Sequence, residues 1–160
     1  MVTIDAFQPS DLATLIRFVE AIQEHERMDV PDLKPGSEIA SGYAQTMIRT
    51  ASERNGCIQM ARTETVAVGF GCAWIEEDAD PCLRDDARRY AYLSDLFVEG
   101  AWRRQGVALR LLEVLELEMR TRGCSRMRIC SKAANHLALA CYRRAGYQPY
   151  EVLLTKRLDI

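Results

Sequence analysis

The densest chemistry in the chain lies between Tyr92 and Leu112. This stretch reads as a buried strand, then a turn containing Arg103, Arg104 and Gly106, then the opening of an amphipathic helix. A turn of this kind holds a phosphate. A helix start leaves its first backbone N–H groups without partners, and the helix dipole adds partial positive charge there. Gly106 lets an anion approach the backbone without meeting a Cβ. Arg103 and Arg104 add full charges on forked donors. A second pattern follows: Asn135-x-x-Ala138-x-x-x-Tyr142-x-x-x-Gly146-Tyr147. Ala138 and Tyr142 are four apart and share a helix face, with Asn135 one turn earlier on roughly the same side. Each residue also has a plain use, Asn135 as a helix cap and Tyr142 as a half-buried aromatic.

Positioning these groups requires a strand and a helix on either side of each motif, and the patterning supplies them. A short strand is predicted over Val2–Phe7, and a helix from Ser10 to about Arg27 with Leu12, Leu15, Ile16, Val19 and Ile22 on one face. The proline-bearing segment Glu24–Gly36 reads as a loop, and Ser37–Ala51 as a second helix with Ile39, Tyr43, Met47 and Ile48 inward. Cys57–Arg62 and Thr65–Trp74 read as a hairpin, in which Gly69 and Gly71 mark a bulge or close packing. The polar connection Glu76–Arg89, with a short helical turn, leads to the strand Tyr90–Val98. A helix over Arg104–Arg122 buries Ala108, Leu111, Leu112, Leu115 and Met119, and Gly123 caps it. Met127–Ser131 is a strand, Asn135–Ala145 a helix ended by Gly146, and Tyr147–Leu158 a last strand. The order β-α-α-β-β-β-α-β-α-β predicts an α/β (α+β) class: a mixed sheet with helices on its faces, in one domain spanning residues 1–160.

Bulk properties limit the function classes. The chain has 160 residues, 48% of them hydrophobic, which sets it apart from disordered chains. A net charge of -2 argues against general affinity for nucleic acid or anionic membrane. No apolar run is long enough for a spanning helix, and the N-terminus reads as no export signal, so a soluble cytoplasmic protein is expected. The six cysteines form no C-x-x-C pair and stand apart from His25 and His136, so no metal is expected.

Arg103-x-x-Gly106-x-Ala108 resembles the Arg/Gln-x-x-Gly-x-Gly/Ala signature of the GCN5-related N-acetyltransferases. Asn135, Ala138, Tyr142 and Gly146-Tyr147 are similar to the family's second motif, and the element order resembles the family's over nearly the whole chain. The resemblance implies a mostly antiparallel GNAT-like sheet flanked by helices, with acetyl-CoA as acyl donor and no metal. It implies that the amides of Arg104, Gln105, Gly106, Val107, Ala108 and Leu109 bind the pyrophosphate, aided by the Arg103 and Arg104 side chains. Leu96, Phe97 and Val98 would pair with the pantetheine amides, and Asn135, Ala138 and Tyr142 would face that arm. An N–H near Leu96 would bind the oxyanion if the strand carries a bulge.

The same resemblance implies that an amine attacks the thioester directly. Tyr142 would return a proton to the thiolate, its ordinary pKa of about 10 being close to that of an alkyl thiol. The base stays open. Some relatives carry a glutamate on the strand before the Asn helix, but Arg128–Ser131 has no acid. Asp95, Glu26 and Glu24 are the candidates, and a water relay would need none of them. The Glu24–Gly36 loop would wall the acceptor pocket, and its acidity suits a cationic amine. A small molecule is favoured over a protein because the chain carries no extra recognition domain. After Gly146 there is room for one long strand where many relatives have two, which implies a more open pocket, or an edge completed by a second copy in a homodimer. A non-catalytic acyl-CoA sensor is the alternative reading. A nucleotide-binding fold is weaker, since the turn lacks the glycine patterns of dinucleotide and P-loop sites.

Overall fold

In the computed structural model, which describes residues 1–158, strands form where apolar residues alternate or run on, and helices where they recur every three or four. β1 (Thr3–Ala6) leads through a 3-10 turn at Pro9–Asp11 into α1 (Leu12–Arg27) and α2 (Gly36–Glu53). β2 (Cys57–Arg62) and β3 (Ala67–Glu77) form the hairpin, and one helical turn, α3 (Asp85–Arg88), precedes β4 (Arg89–Val98). After a 3-10 turn at Gly100–Trp102 come α4 (Val107–Thr121), β5 (Met127–Ile129) and α5 (His136–Arg144). The strands lie in the order β1-β2-β3-β4-β5, antiparallel except for the parallel β4–β5 pair. This is the mixed, mostly antiparallel sheet flanked by helices that the sequence predicts.

The helices cover both faces. Leu15, Phe18 and Val19 of α1 and Ala40, Ala44 and Met47 of α2 pack on Met60, Phe70 and Cys72. On the other face Leu112, Leu115 and Met119 of α4 pack on Ala73, Ala91 and Leu93. Gly71 answers for the close fit of that layer: a Cβ there would lie 2.6 Å from Leu115 Cδ1. No helix among the described residues is long and apolar enough to cross a membrane.

Three expectations change. The last strand, predicted over Tyr147–Leu158, does not form: those residues have no regular structure. Val152, Leu153, Leu154 and Leu158 are exposed. The alternation has no face to bury against, and β5, three residues long, would give a neighbour few ladder bonds. The helix expected from Arg104 begins at Val107, because Arg104 (φ 60°) and Gly106 (φ 80°) are left-handed and cannot be helical. The inner face of α2 is rotated toward Ala40, Ala44 and Ala51, small residues that bring α1 and α2 close. Ile39 and Ile48 sit at its margin, and Tyr43 is left over a cleft.

Candidate active site

The cleft begins with one extra residue in β4. Cys72 of β3 lies opposite Asp95, and the next residue, Ala73, lies opposite Leu93. Ser94 is therefore a bulge. Leu93 faces the α4 layer, and strict alternation would send Asp95 to that same buried face. The extra residue turns Asp95 to the α1–α2 face instead, beside Tyr92, and returns Leu96 to the α4 side. The bulge expected near Leu96 is thus present two residues earlier.

Past the bulge β4 loses one neighbour. Its pairing with β5 covers only Ala91, Tyr92 and Leu93, while pairing with β3 continues to Val98. The side of β4 facing away from β3 is open along Leu96, Phe97 and Val98, a length of strand edge that an extended ligand can pair with. One acceptor there is already used: Arg103 Nε donates to the Val98 carbonyl at 2.9 Å. Gln105 likewise braces the turn, its Nε2 donating to the Ala101 carbonyl at 2.8 Å. Of the two arginines, Arg104 is the one with no hydrogen bond to the chain among the described residues. The first bond of α4 runs from Arg110 N–H to the Gly106 carbonyl, so the amides of Val107, Ala108 and Leu109 point free of the helix.

α5 carries the second motif. The Asn135 side chain accepts from Ala138 N–H at 3.1 Å, so it does cap the helix. Gly146 is left-handed (φ 93°) and ends the turn that follows. Tyr142 packs with Tyr147, ring centroids 6.2 Å apart, and its hydroxyl is committed to no partner in the chain among the described residues. Burial raises its pKa well above the ordinary phenol, with Cys141, Asp95 and Glu26 adding to the effect.

Beside the open edge lies a pocket of about 270 Å³, lined by α1, α2, β4 and the segment after β5. Glu26, Tyr43, Tyr92, Ser94, Asp95 and Lys132 supply its polar surface, and Val19, Ile22 and Ile39 its apolar surface. Asp95 accepts from the Ser94 hydroxyl at 2.5 Å and the Tyr43 hydroxyl at 3.1 Å. Burial raises its pKa above the ordinary carboxylate range; the Ser94 and Tyr43 hydrogen bonds oppose this, and the nearby Glu26 charge reinforces it. A carboxyl with a raised pKa is a stronger proton acceptor. Glu24 has a different task. It accepts from the Gly36 amide at 2.5 Å and pairs with Arg27, which holds its pKa below the usual range and fixes the start of α2.

Asp95 and Glu26 therefore line one pocket, Tyr142 lies within electrostatic reach of both without lining it, and Glu24 has a structural role. Tyr43, Ser94, Tyr92 and Lys132 are pocket residues that sequence reasoning missed. Among the described residues no group of three His, Cys, Asp or Glu side chains is placed to hold a metal ion. A separate recess of about 230 Å³, lined by Glu116, Arg126 and Tyr147 among others, shares no residue with the cleft.

Residues 19–147 match the sequence model of the Acetyltransferase (GNAT) family. A search of curated proteins finds no match. Among solved structures the chain is similar to a GCN5-related N-acetyltransferase from Ralstonia eutropha JMP134, with TM-score 0.78, 12% identity, and 98% of this chain and 99% of that chain covered. It is also similar to the aminoglycoside 6'-N-acetyltransferase AAC(6')-Ih from Acinetobacter baumannii, with TM-score 0.72, 18% identity, and 100% and 99% covered. A third similar structure is glucosamine-6-phosphate N-acetyltransferase from Arabidopsis thaliana, with TM-score 0.70, 15% identity, and 99% of each chain covered.

Proposed function

The chain belongs to the Acetyltransferase (GNAT) family and is an N-acetyltransferase, and on that premise we propose that it moves the acetyl group of acetyl-CoA to the primary amine of a small cationic acceptor by direct attack on the thioester. The observation that carries the reading is the bulge at Ser94. It turns a carboxylate into the pocket at the point where β4 leaves its pairing with β5.

In this reading the amides of Arg104 to Leu109 hold the pyrophosphate, with Arg104 supplying the mobile charge while Arg103 and Gln105 brace the turn. The open edge at Leu96, Phe97 and Val98 pairs with the pantetheine amides, and Asn135, Ala138 and Tyr142 line its other side. The amine nitrogen bonds to the acetyl carbon as the carbon–sulfur bond breaks. The Leu96 amide stabilises the oxyanion. Asp95 takes the proton lost from nitrogen, and Tyr142 gives one to the departing sulfur. Burial keeps Tyr142 protonated at working pH. Burial in the same cleft also raises the proton affinity of a thiolate, so the transfer keeps its driving force. Glu26 and Asp95 favour a cationic acceptor, and the pocket volume of about 270 Å³ supports a small one. The neighbours whose names state an acceptor, an aminoglycoside and an amino sugar phosphate, agree with that class.

The proposal includes action as one domain over residues 1–160, in the cytoplasm, and as a homodimer. Val152, Leu153 and Leu154 are exposed, and β5 has only β4 as neighbour among the described residues, an edge a second copy would cover. The test is release of CoA from acetyl-CoA in the presence of spermidine, kanamycin, lysine or an amino-terminal dipeptide. Acceleration by at least one amine is expected. Tight acetyl-CoA binding with no acceleration by any of them would overturn the catalytic reading in favour of a sensor.

A further inference from the structure

We propose that Tyr43 is a positioning residue for the transfer: from α2 its hydroxyl holds the Asp95 carboxylate so that one chosen oxygen meets the acceptor amine. The inference rests on the assignment of Asp95 as proton acceptor and deepens it.

Both hydrogen bonds to Asp95 fall on the same atom. Tyr43 donates to Oδ2 at 3.1 Å and Ser94 donates to Oδ2 at 2.5 Å. Oδ1 has no partner in the chain among the described residues, and it is not sealed away as a buried unsatisfied atom. Two donors on one oxygen fix the carboxylate plane and leave Oδ1 as the oxygen directed to the pocket. A single donor on the neighbouring residue would leave the group free to exchange its two oxygens; the second donor, from a separate element, removes that freedom. Tyr43 is fixed in turn by α2, whose Ala40, Ala44 and Met47 are buried against α1 and the sheet. The contact thus exists only because a bulge turns Asp95 over and small residues set the rotation of α2.

Tyr43 keeps its proton for this role, since burial and the adjacent Asp95 raise its pKa well above an ordinary phenol. The other groups acting on Asp95 come from every surrounding element. Glu26 of α1 raises its pKa, and Cys72 of β3, Tyr92 of β4 and Tyr142 of α5 feel its charge. Cys130 and Lys132 line the same pocket. Ser94 and Tyr43 are the groups that favour the ionised form by hydrogen bonding. Removing one of them leaves burial and Glu26 less opposed, so Asp95 must titrate higher.

Tyr43→Phe keeps the ring and deletes the donor. Carboxyl-carbon NMR, assigned with Asp95→Asn, reads the Asp95 midpoint directly, and the pH profile of acetyl-CoA hydrolysis, with water as probe acceptor, reads its use. The expected result is a midpoint raised by roughly half a pH unit or more, with the acid limb of the profile moving equally and acetyl-CoA affinity unchanged. An unmoved midpoint, or a moved midpoint with an unmoved acid limb, overturns the inference. Ser94→Ala raises the midpoint in the same direction and shows that the method detects loss of one donor. Asp95→Asn separates the two claims. Full activity in that variant removes Asp95 from the reaction and the premise with it, whereas lost activity with an unmoved Tyr43→Phe midpoint removes Tyr43 alone.

Discussion

Val107, Ala108 and Leu109 leave backbone amides free at the start of α4, while Glu26, Tyr43 and Asp95 bring side chains from α1, α2 and β4 to one pocket, with Tyr142 of α5 in electrostatic reach. The first half of the cleft is made by local conformation. One left-handed glycine and one left-handed arginine shape it, and most side chains there brace the turn or face the core. The second half is made by packing. Its members lie far apart in sequence and meet only because a bulge and a helix rotation bring them together. A backbone site suits a ligand that stays constant, since side chains around it can vary freely. A side-chain site suits a partner that varies, since each substitution re-tunes it.

The comparison makes three graded predictions. The largest effect belongs to Asp95→Asn, where loss of a proton acceptor costs turnover about 10²–10⁴-fold. Acetyl-CoA affinity should stay within about twofold, because the backbone half is untouched. The same variant should gain stability. Asp95 holds its proton more tightly folded than unfolded, so wild-type stability falls as pH rises from the ordinary carboxylate range through the raised value. The melting temperature of Asp95→Asn should exceed wild type at pH 7, and the gap should close below about pH 4. A lower melting temperature at pH 7 would mean that the ionised carboxylate is stabilising where it stands.

The next effect is the mirror image. Gly106 has open space where a Cβ would go, but its φ of 80° is one that valine resists, and in the proposed reading its face is where the pyrophosphate approaches. Gly106→Val should weaken acetyl-CoA binding by about 10²-fold, close to 3 kcal/mol, while the NMR titration of Asp95 stays in place. A shifted Asp95 would show that the two halves are coupled rather than separate. The smallest effect is expected at Tyr142, on the side-chain half. Tyr142→Phe should lower turnover at the low end of general acid catalysis, by about 10²-fold or less, and leave cofactor affinity nearly intact. Equal losses in both would assign the ring a packing role against Tyr147.

The two halves also differ in how far they could be read from residues alone. The turn between β4 and α4 was legible because its determinants lie close in sequence: Arg103, Gly106 and Ala108 mark it, and the helix start shifted from Arg104 to Val107. Asp95 and Glu26 were legible as carboxylates, but not as residues that line one pocket. Nothing in the alternation of Tyr90–Val98 marks Ser94 as the extra residue, because register belongs to the paired strand. Tyr43 was recognised as facing inward, yet its contact with Asp95 depends on Ala40, Ala44 and Ala51 setting the helix rotation. The expected strand at Tyr147–Leu158 failed for the related reason that alternation supplies a face and not a neighbour.

The most direct test of the account is calorimetric titration of the chain with acetyl-CoA, and separately with ATP and NAD. The account predicts saturable binding of acetyl-CoA with a Kd in the micromolar range, and at least tenfold weaker binding of the two nucleotides, which lack the pantetheine arm that pairs with Leu96–Val98. Absence of acetyl-CoA binding, or equal binding of all three, would contradict it, and would reduce the turn at Arg103–Ala108 to a connection between β4 and α4.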